Sequence, residues 1–451
     1  MKINPCFCVK ATLALVLVGT TPWFGVAAEE VSQRRGKLPD NKQLGSILNN
    51  DINNILTALS GSETAPADYK KAVLTLLNAK PGVLAQNVGM PDPVIYRSNV
   101  ATTWDKYHTE VVKKVWPDSE DPGQAACMKD LLDAGTDPLT LTIEACRERG
   151  VPIVASYRMN AEDYNSGELD LYDFGRQHKD LRITGRNCLD PVHSKVFKHR
   201  MEIFTEIANQ YDIDGIEFDF KRTSHMISDP HKNHVILTRM VAETRKMLDG
   251  VARKKGRDRL LLGVRVEPML EGEMRKADFP GASYGPPSNR SCVDSGLDVK
   301  TWIEKGHVDY VCPALFWPRW PGLPNTSEFV ELAKDKDVGI YPTLFSLPPY
   351  LQEEAEKQGG IGVNDTERLL RYKTGICTHA LQLYADGADG ISTFNWYYHL
   401  HLAELPNQWQ AYYGYGMGGS MVQSHLLSIL GDPVALRKYL DAKEPLGKHA
   451  S

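Results

Sequence analysis

Beyond residue 30, no stretch of this chain reaches the ~18 consecutive apolar residues that a membrane-crossing helix requires, so the body of the protein is expected to be soluble. Basic residues are not in excess either. The 52 Lys and Arg stand against 57 Asp and Glu, a net charge of −5, with the two signs mixed along the chain. This is not the basic footprint of a nucleic-acid binder, and no such partner is expected. No Cys-x-x-Cys pair occurs, which leaves a zinc ribbon without ligands. No Gly-x-Ser-x-Gly elbow follows an apolar strand, so Ser/His/Asp hydrolysis lacks its usual signature. Internal repeats and low-complexity tracts are missing as well.

What is present begins with an export signal. Lys2 and Lys10 precede the apolar run 11–19, and Val26-Ala27-Ala28 offers the small residues that a signal peptidase needs. Residues 1–28 are therefore expected to be removed, leaving a secreted or periplasmic chain; no lipidation cysteine follows the apolar run. Of eight cysteines, Cys6 and Cys8 fall within the signal. The other six (Cys127, Cys146, Cys188, Cys292, Cys312 and Cys377) permit disulfides in an oxidising compartment, with fifteen possible pairings. Cys312 lies inside an apolar run and reads as a buried free thiol.

After a polar leader at 29–40, short apolar runs alternate with amphipathic stretches. The runs at 44–48, 83–88, 94–99, 151–157, 213–220, 260–266, 308–316, 338–345 and 390–396 read as strands, and 139–149, 195–211, 234–254 and 367–385 as helices. This alternation predicts βαβ units on a parallel sheet, and about eight such units predict a closed barrel. The expected fold is thus α/β: a (β/α)8 TIM barrel over residues 29–400, with a short N-terminal leader and a C-terminal helical extension over 401–451 packed on the barrel. Either 44–48 or 83–88 supplies the first barrel strand.

In such a barrel, functional groups sit at the C-terminal ends of the strands. The segment 211–222 reads Tyr-Asp-Ile-Asp-Gly-Ile-Glu-Phe-Asp-Phe-Lys-Arg. Side chains alternate along a strand, so Ile216, Phe218 and Phe220 face the helices while Glu217, Asp219 and Lys221 face the barrel axis. Charges stacked inward are costly without partners or a task. Asp219 is the rim carboxylate; Glu217 lies deeper, where an ion pair with Lys221 or an arginine is the bland alternative. Asp212 and Asp214 precede the strand and read as turn and cap residues. The next strand repeats the logic, with Arg265 and Glu267 inward and Pro268 as its stop. Two carboxyls at neighbouring strand tips match the requirement of glycoside hydrolysis.

Further candidates surround this pair. Arg158 and Asn160 end the third strand and are placed to bind sugar hydroxyls. Asp51 follows the first apolar run in the polar cluster Asn49-Asn50-Asp51. The last strand presents Thr393 and Asn395 inward, followed by Trp396 and Tyr397, and Trp317 ends another; aromatics at strand tips can stack on the apolar faces of sugar rings. His225, His231 and His234 with Asp229 match no familiar metal-ligand spacing and read as a polar loop, so no metal or cofactor is expected.

Several passages resemble bacterial glycosyl-hydrolase-like barrels related to family-10-type glycosidases. Asp137-Pro138-Leu139 and then Glu148-Arg149-Gly150 before Val151 resemble a "DPL…A-x-x-R-G" approach to the third strand. Asp190-Pro191, followed by a long helix and Tyr211-Asp212-Ile213-Asp214-Gly215-Ile216, is similar to "DP…YDVDGI-x-x-D". Residues 308–313, Val-Asp-Tyr-Val-Cys-Pro, resemble "IDYI-x-P". The resemblance implies an eight-stranded barrel, a carbohydrate substrate and Asp219 as the fourth-strand acid. The chain departs from the pattern at Glu217, where His is common, and at Phe220-Lys221, where Asp-Tyr is common. By architectural analogy with α-amylases, the expectation is a retaining glycoside hydrolase acting on an extracellular or periplasmic poly- or oligosaccharide. Asp219 is the nucleophile and Glu267 the acid/base, with Arg158, Arg265 and Lys221 holding Asp219 ionised. The alternatives are a non-catalytic carbohydrate-binding barrel and a metal-dependent carbohydrate deacetylase.

Overall fold

The computed structural model describes residues 38–442 except 53, 61–62, 92, 107–108, 111–122, 161–172, 222–224, 273–289, 316–322, 346–365 and 395–419. The signal expected at 1–28 lies outside them, as do Trp317, Asn395, Trp396 and Tyr397.

Nine strands are described: β1 Ser46–Asn50, β2 Val83–Gly89, β3 Ile153–Arg158, β4 Gly215–Asp219, β5 Leu261–Val266, β6 Tyr310–Pro313, β7 Gly339–Ile340, β8 Thr343–Phe345 and β9 Ile391–Phe394. They form one curled, parallel sheet in the order β7-β6-β5-β4-β3-β2-β1-β9-β8. Both candidates for a first strand are in it, as neighbours, with Ile47 level with Val83. The sheet's two outer strands, β7 and β8, are adjacent in the chain, parted by Tyr341-Pro342. Proline has no N–H to give the ladder, so the run expected at 338–345 breaks there. The ladder continues past the break: Asp389 N donates to Ile340 O at 3.0 Å and Ser392 N to Pro342 O at 3.1 Å.

The two sheet faces bury different things. One packs Leu48, Leu84, Ile153, Ile216, Phe218, Leu262 and Val264 against the helices in the main core. The other encloses a small separate cluster, including Ile47, Val83, Val154, Leu261, Tyr310 and Tyr341. Each such fully buried side chain contributes about 1.5–3 kcal/mol. The helices show the local chemistry that delimits them. In Pro138–Arg149, Asp137 caps the start by accepting from Thr140 N at 2.8 Å, proline takes the first turn, and Gly150 ends it at φ 65°, a left-handed value suited to glycine. Phe204, in the helix Ser194–Gln210, packs on Tyr157 and Phe218, with ring centroids 5.3 and 4.6 Å away.

Two expectations change. The run 94–99 forms no strand; Val94 makes only isolated bridges to Gly89 and Thr103. The chain doubles back immediately after β2, with Met90 N donating to Pro93 O, and side chains take the backbone groups that follow: Arg97 N donates to the Tyr211 hydroxyl and Asn99 N to Glu206. Asp214 is not a turn residue but a buried junction, accepting from Ile153 N at 2.8 Å, Arg147 at 2.7 Å and Arg257 at 2.6 Å. The two C-terminal helices, Ser420–Ile429 and Pro433–Asp441, do occur. They join Thr366–Ala385 through the Tyr384 hydroxyl to Leu430 O at 2.6 Å and Lys373 Nζ to Ala442 O at 2.7 Å.

Candidate functional site

Register assembles the site. Along β3, β4 and β5, Arg158, Asp219 and Arg265 stand level with one another on the enclosed face. Arg265 donates to Asp219 at 2.9 Å. Two residues further on, Lys221 and Glu267 meet as a buried ion pair. The neighbouring strand ends therefore carry opposite charges in alternation: each carboxylate faces a cation, and the four charges cancel. Ser295, from the segment after β5, donates to the other Glu267 oxygen at 3.1 Å. The guanidinium of Arg265 also lies 4.1 Å over the Phe394 ring. Asp219 and Glu267 are both 1% exposed.

Arg158 reaches away from Asp219. Its Nη2 donates to Asp51 at the end of β1, and its Nη1 contacts Met90 Sδ at 2.9 Å. Of the three cations expected to hold Asp219, Arg265 alone has its side chain on it. Lys221 bonds Asp219 through its backbone N–H at 2.9 Å and gives its ammonium to Glu267. Asn160, past the end of β3, donates to His225 O at 2.6 Å.

One layer deeper, Glu217 is tied to neutral groups rather than to Lys221 or an arginine. Ser156 donates at 2.8 Å, the Tyr310 hydroxyl at 3.0 Å and Asn49 Nδ2 at 3.4 Å. Gly263 makes the tyrosine contact possible. It stands level with Glu217 on β5, and a Cβ there would fall 2.0 Å from the Tyr310 ring. Burial pushes the Glu217 carboxyl above the ordinary glutamate range, aided by Asp219 and opposed by its hydrogen bonds and Arg265. Burial likewise raises Glu267, against the opposing pull of Lys221 and Ser295.

The structure thus gathers Asp51, Arg158, Asn160, Glu217, Asp219, Lys221, Arg265 and Glu267 at one end of the sheet's enclosed face. It also corrects the last strand. Phe394 reaches Arg265, and Ser392 meets Thr343 at 2.7 Å, so these two face inward, whereas Thr393 lies on the opposite face. A one-residue error in phase exchanges the two faces of a strand. Sequence reasoning missed Asn49, Tyr310, Gly263 and Ser295 as parts of this end. Tyr310 and Asn49 carried a signal, being polar groups at inward positions in apolar runs; Ser295 carried none. The loop histidines point apart, His231 to Asp294 at 3.6 Å and His234 to Asp298 at 3.5 Å. Among the described residues, no three His, Cys, Asp or Glu side chains stand together as metal ligands.

Fold and site define an α/β protein whose curled parallel sheet holds a buried, charge-matched cluster at its strand ends. The chain is similar to the glycosyl hydrolase DigH of Escherichia coli O6:H1 (strain CFT073), at 23% identity over 215 residues, 41% of this chain and 47% of that protein. It spans about half the length of the curated relatives it matches. No protein-family model matches it. Similar solved structures include alpha-L-fucosidase isoenzyme 2 from Paenibacillus thiaminolyticus, 10% identical, covering 88% of this chain and 50% of that one, with a TM-score of 0.44. A GH18 chitinase from Cycas revoluta is 10% identical over 86% of this chain and 99% of its own, also at 0.44.

Proposed function

We propose that this chain is a glycoside hydrolase acting on an extracellular or periplasmic poly- or oligosaccharide. The observation that carries the reading is the placement of Asp219 and Glu267 at the ends of neighbouring strands, on one face, each against its own cation. Glu267 stands two residues beyond Arg265, the residue level with Asp219, so the two carboxyls are diagonal neighbours, and a retaining enzyme needs them ~5–5.5 Å apart. In that mechanism Asp219 attacks the anomeric carbon. Glu267, its carboxyl raised by burial, protonates the leaving oxygen and then takes a proton from water. Trp317, Asn395, Trp396 and Tyr397 join Arg158, Asn160 and Asp51 as sugar contacts. The likeness to glycosyl hydrolase DigH supports this reading, and kinship with family-10-type glycosidases belongs to it. So do a closed eight-stranded barrel, in which β7 and β8 are halves of one strand, and export, supported by the charged, then apolar, then small residues of the first 28.

The test is a screen of the chain from residue 29 across a glycan panel, with product stereochemistry read by NMR. Retention of configuration is expected, and Asp219→Asn is expected to fold but lose turnover by orders of magnitude. Near-normal hydrolysis by that variant would remove Asp219 from its role. A second reading, a non-catalytic carbohydrate-binding protein, is favoured by the pairing of both rim carboxylates with cations. It predicts binding on the same panel with no cleavage.

A further inference from the structure

Beside the paired charges, the buried polar atoms with no hydrogen-bond partner among the described residues include Asn49 Oδ1, Asn87 Oδ1, Arg158 Nε and Arg265 Nε. Their residues are at most 3% exposed. The register brings them together. Asn87 on β2 is level with Ser156, and Ser156 with Glu217, whose carboxyl takes the Asn49 amide. Arg158 and Arg265 flank Asp219 in the next row. A buried acceptor or donor left unmet costs about 1–3 kcal/mol, so these four, on neighbouring strands, call for a partner.

The chemistry of the four atoms limits what that can be. Two carboxamide oxygens only accept, and two guanidinium nitrogens only donate. An anion would satisfy the nitrogens but turn its charge on the oxygens; an ammonium would do the reverse. A hydroxyl both donates and accepts, and a ring carrying adjacent hydroxyls serves both kinds of atom. The full charges nearby are already matched, Arg158 to Asp51 and Arg265 to Asp219, so a charged ligand would be desolvated without a counter-ion.

We propose that Asn49, Asn87, Arg158 and Arg265 form a recess for the hydroxyls of a neutral sugar ring, one that excludes sugars bearing a carboxylate or an ammonium. The proposal rests on the carbohydrate part of the function above and adds Asn49 and Asn87 to the site. The experiment is saturation-transfer NMR on the full chain with glucose, galactose and N-acetylglucosamine as neutral probes, and glucuronate and glucosamine as charged ones. At least one neutral probe is expected to bind, with the charged ones at least about tenfold weaker. Asn87→Leu is expected to lose that binding while circular dichroism is unchanged, and Asn87→Ser serves if the leucine variant misfolds. Binding of a charged probe as tightly as a neutral one, undiminished binding by both variants, or no neutral probe bound because the recess holds only water would each overturn the proposal. Turnover is not needed for the readout. A chain that binds neutral sugars and cleaves nothing sinks the hydrolase reading alone; one that cleaves glycans yet prefers charged probes sinks this proposal alone.

Discussion

Asp219 and Glu267 sit under equal burial but in unequal company. Asp219 faces a guanidinium, whereas Glu267 shares its oxygens between an ammonium and a serine hydroxyl. If Glu267 supplies the proton, Glu267→Gln should slow turnover by about 10²–10⁴-fold, and less for substrates whose leaving group needs no proton. Steady-state rates on good and poor leaving groups check this; an equal loss on both would count against the role. Glu217 makes a separate prediction, through stability. Its folded carboxyl titrates above the unfolded value of 4.5, so it holds its proton more tightly when folded. Its contribution is complete below that unfolded value and is lost as pH rises through the folded one. The stability of Glu217→Gln relative to the natural protein should therefore grow between about pH 4 and pH 8. Urea unfolding at both pH values measures it, and a constant difference would contradict the assignment.

At the scale of elements, three aspartates make the same joint. Asp214, Asp309 and Asp389 stand just before β4, β6 and β9, and they accept from Ile153 N, Leu262 N and Ile340 N at 2.8, 2.7 and 2.9 Å. The first two pin the start of a strand to the start of its neighbour, and the third ties the approach to β9 to the end of β7. This gives the passages Asp-Gly-Ile at 214–216 and Val-Asp-Tyr at 308–310 a physical reason. The joints differ in cost. Asp309 also takes Arg245 at 2.8 Å, and that arginine's side chain is 6% exposed. Asp309→Ala takes one of Arg245's two carboxylate partners, the other being Asp249 at 2.7 Å, and should lose about 1–3 kcal/mol in chemical denaturation, more than Asp389→Ala. Equal losses would show that the shared backbone bond, not the arginine, is what matters. Gly263→Ala belongs to the same scale. The added methyl collides with Tyr310 and should cost about 1–3 kcal/mol while parting its hydroxyl from Glu217. A loss below about 0.5 kcal/mol would mean that the ring moves freely.

For the molecule as a whole, six cysteines lie buried: Cys127, Cys146, Cys188, Cys292, Cys312 and Cys377. A pairing framework was open to them, and no disulfide joins two of these six. Burial of the sheet's two faces holds the fold instead, so thiol reagents should find no cysteine in the folded chain from residue 29 and six after denaturation. Fewer than six in denaturant would reveal a disulfide. The break at Tyr341-Pro342 also acts at this scale. The Tyr341 side chain crosses the enclosed face, where its hydroxyl accepts from Leu44 N at 2.9 Å and donates to Asn41 O at 2.7 Å, joining strand seven's position to the start of β1.

Period and order were legible in the chain itself. Alternation with period two placed Glu217, Asp219, Lys221, Arg265 and Glu267 on one face, because successive side chains in any strand must oppose one another. Apolar runs parted by helical stretches placed β1 to β6 in parallel order, since a parallel pair needs a crossover between its strands. Partners were not legible. That Lys221 meets Glu267, that Arg158 leaves Asp219 for Asp51, and that Phe394 rather than Thr393 turns inward all depend on register and curvature between strands far apart in the chain. Which charges meet, and which buried polar atoms find a partner, are settled only when the sheet curls and brings those strand ends level.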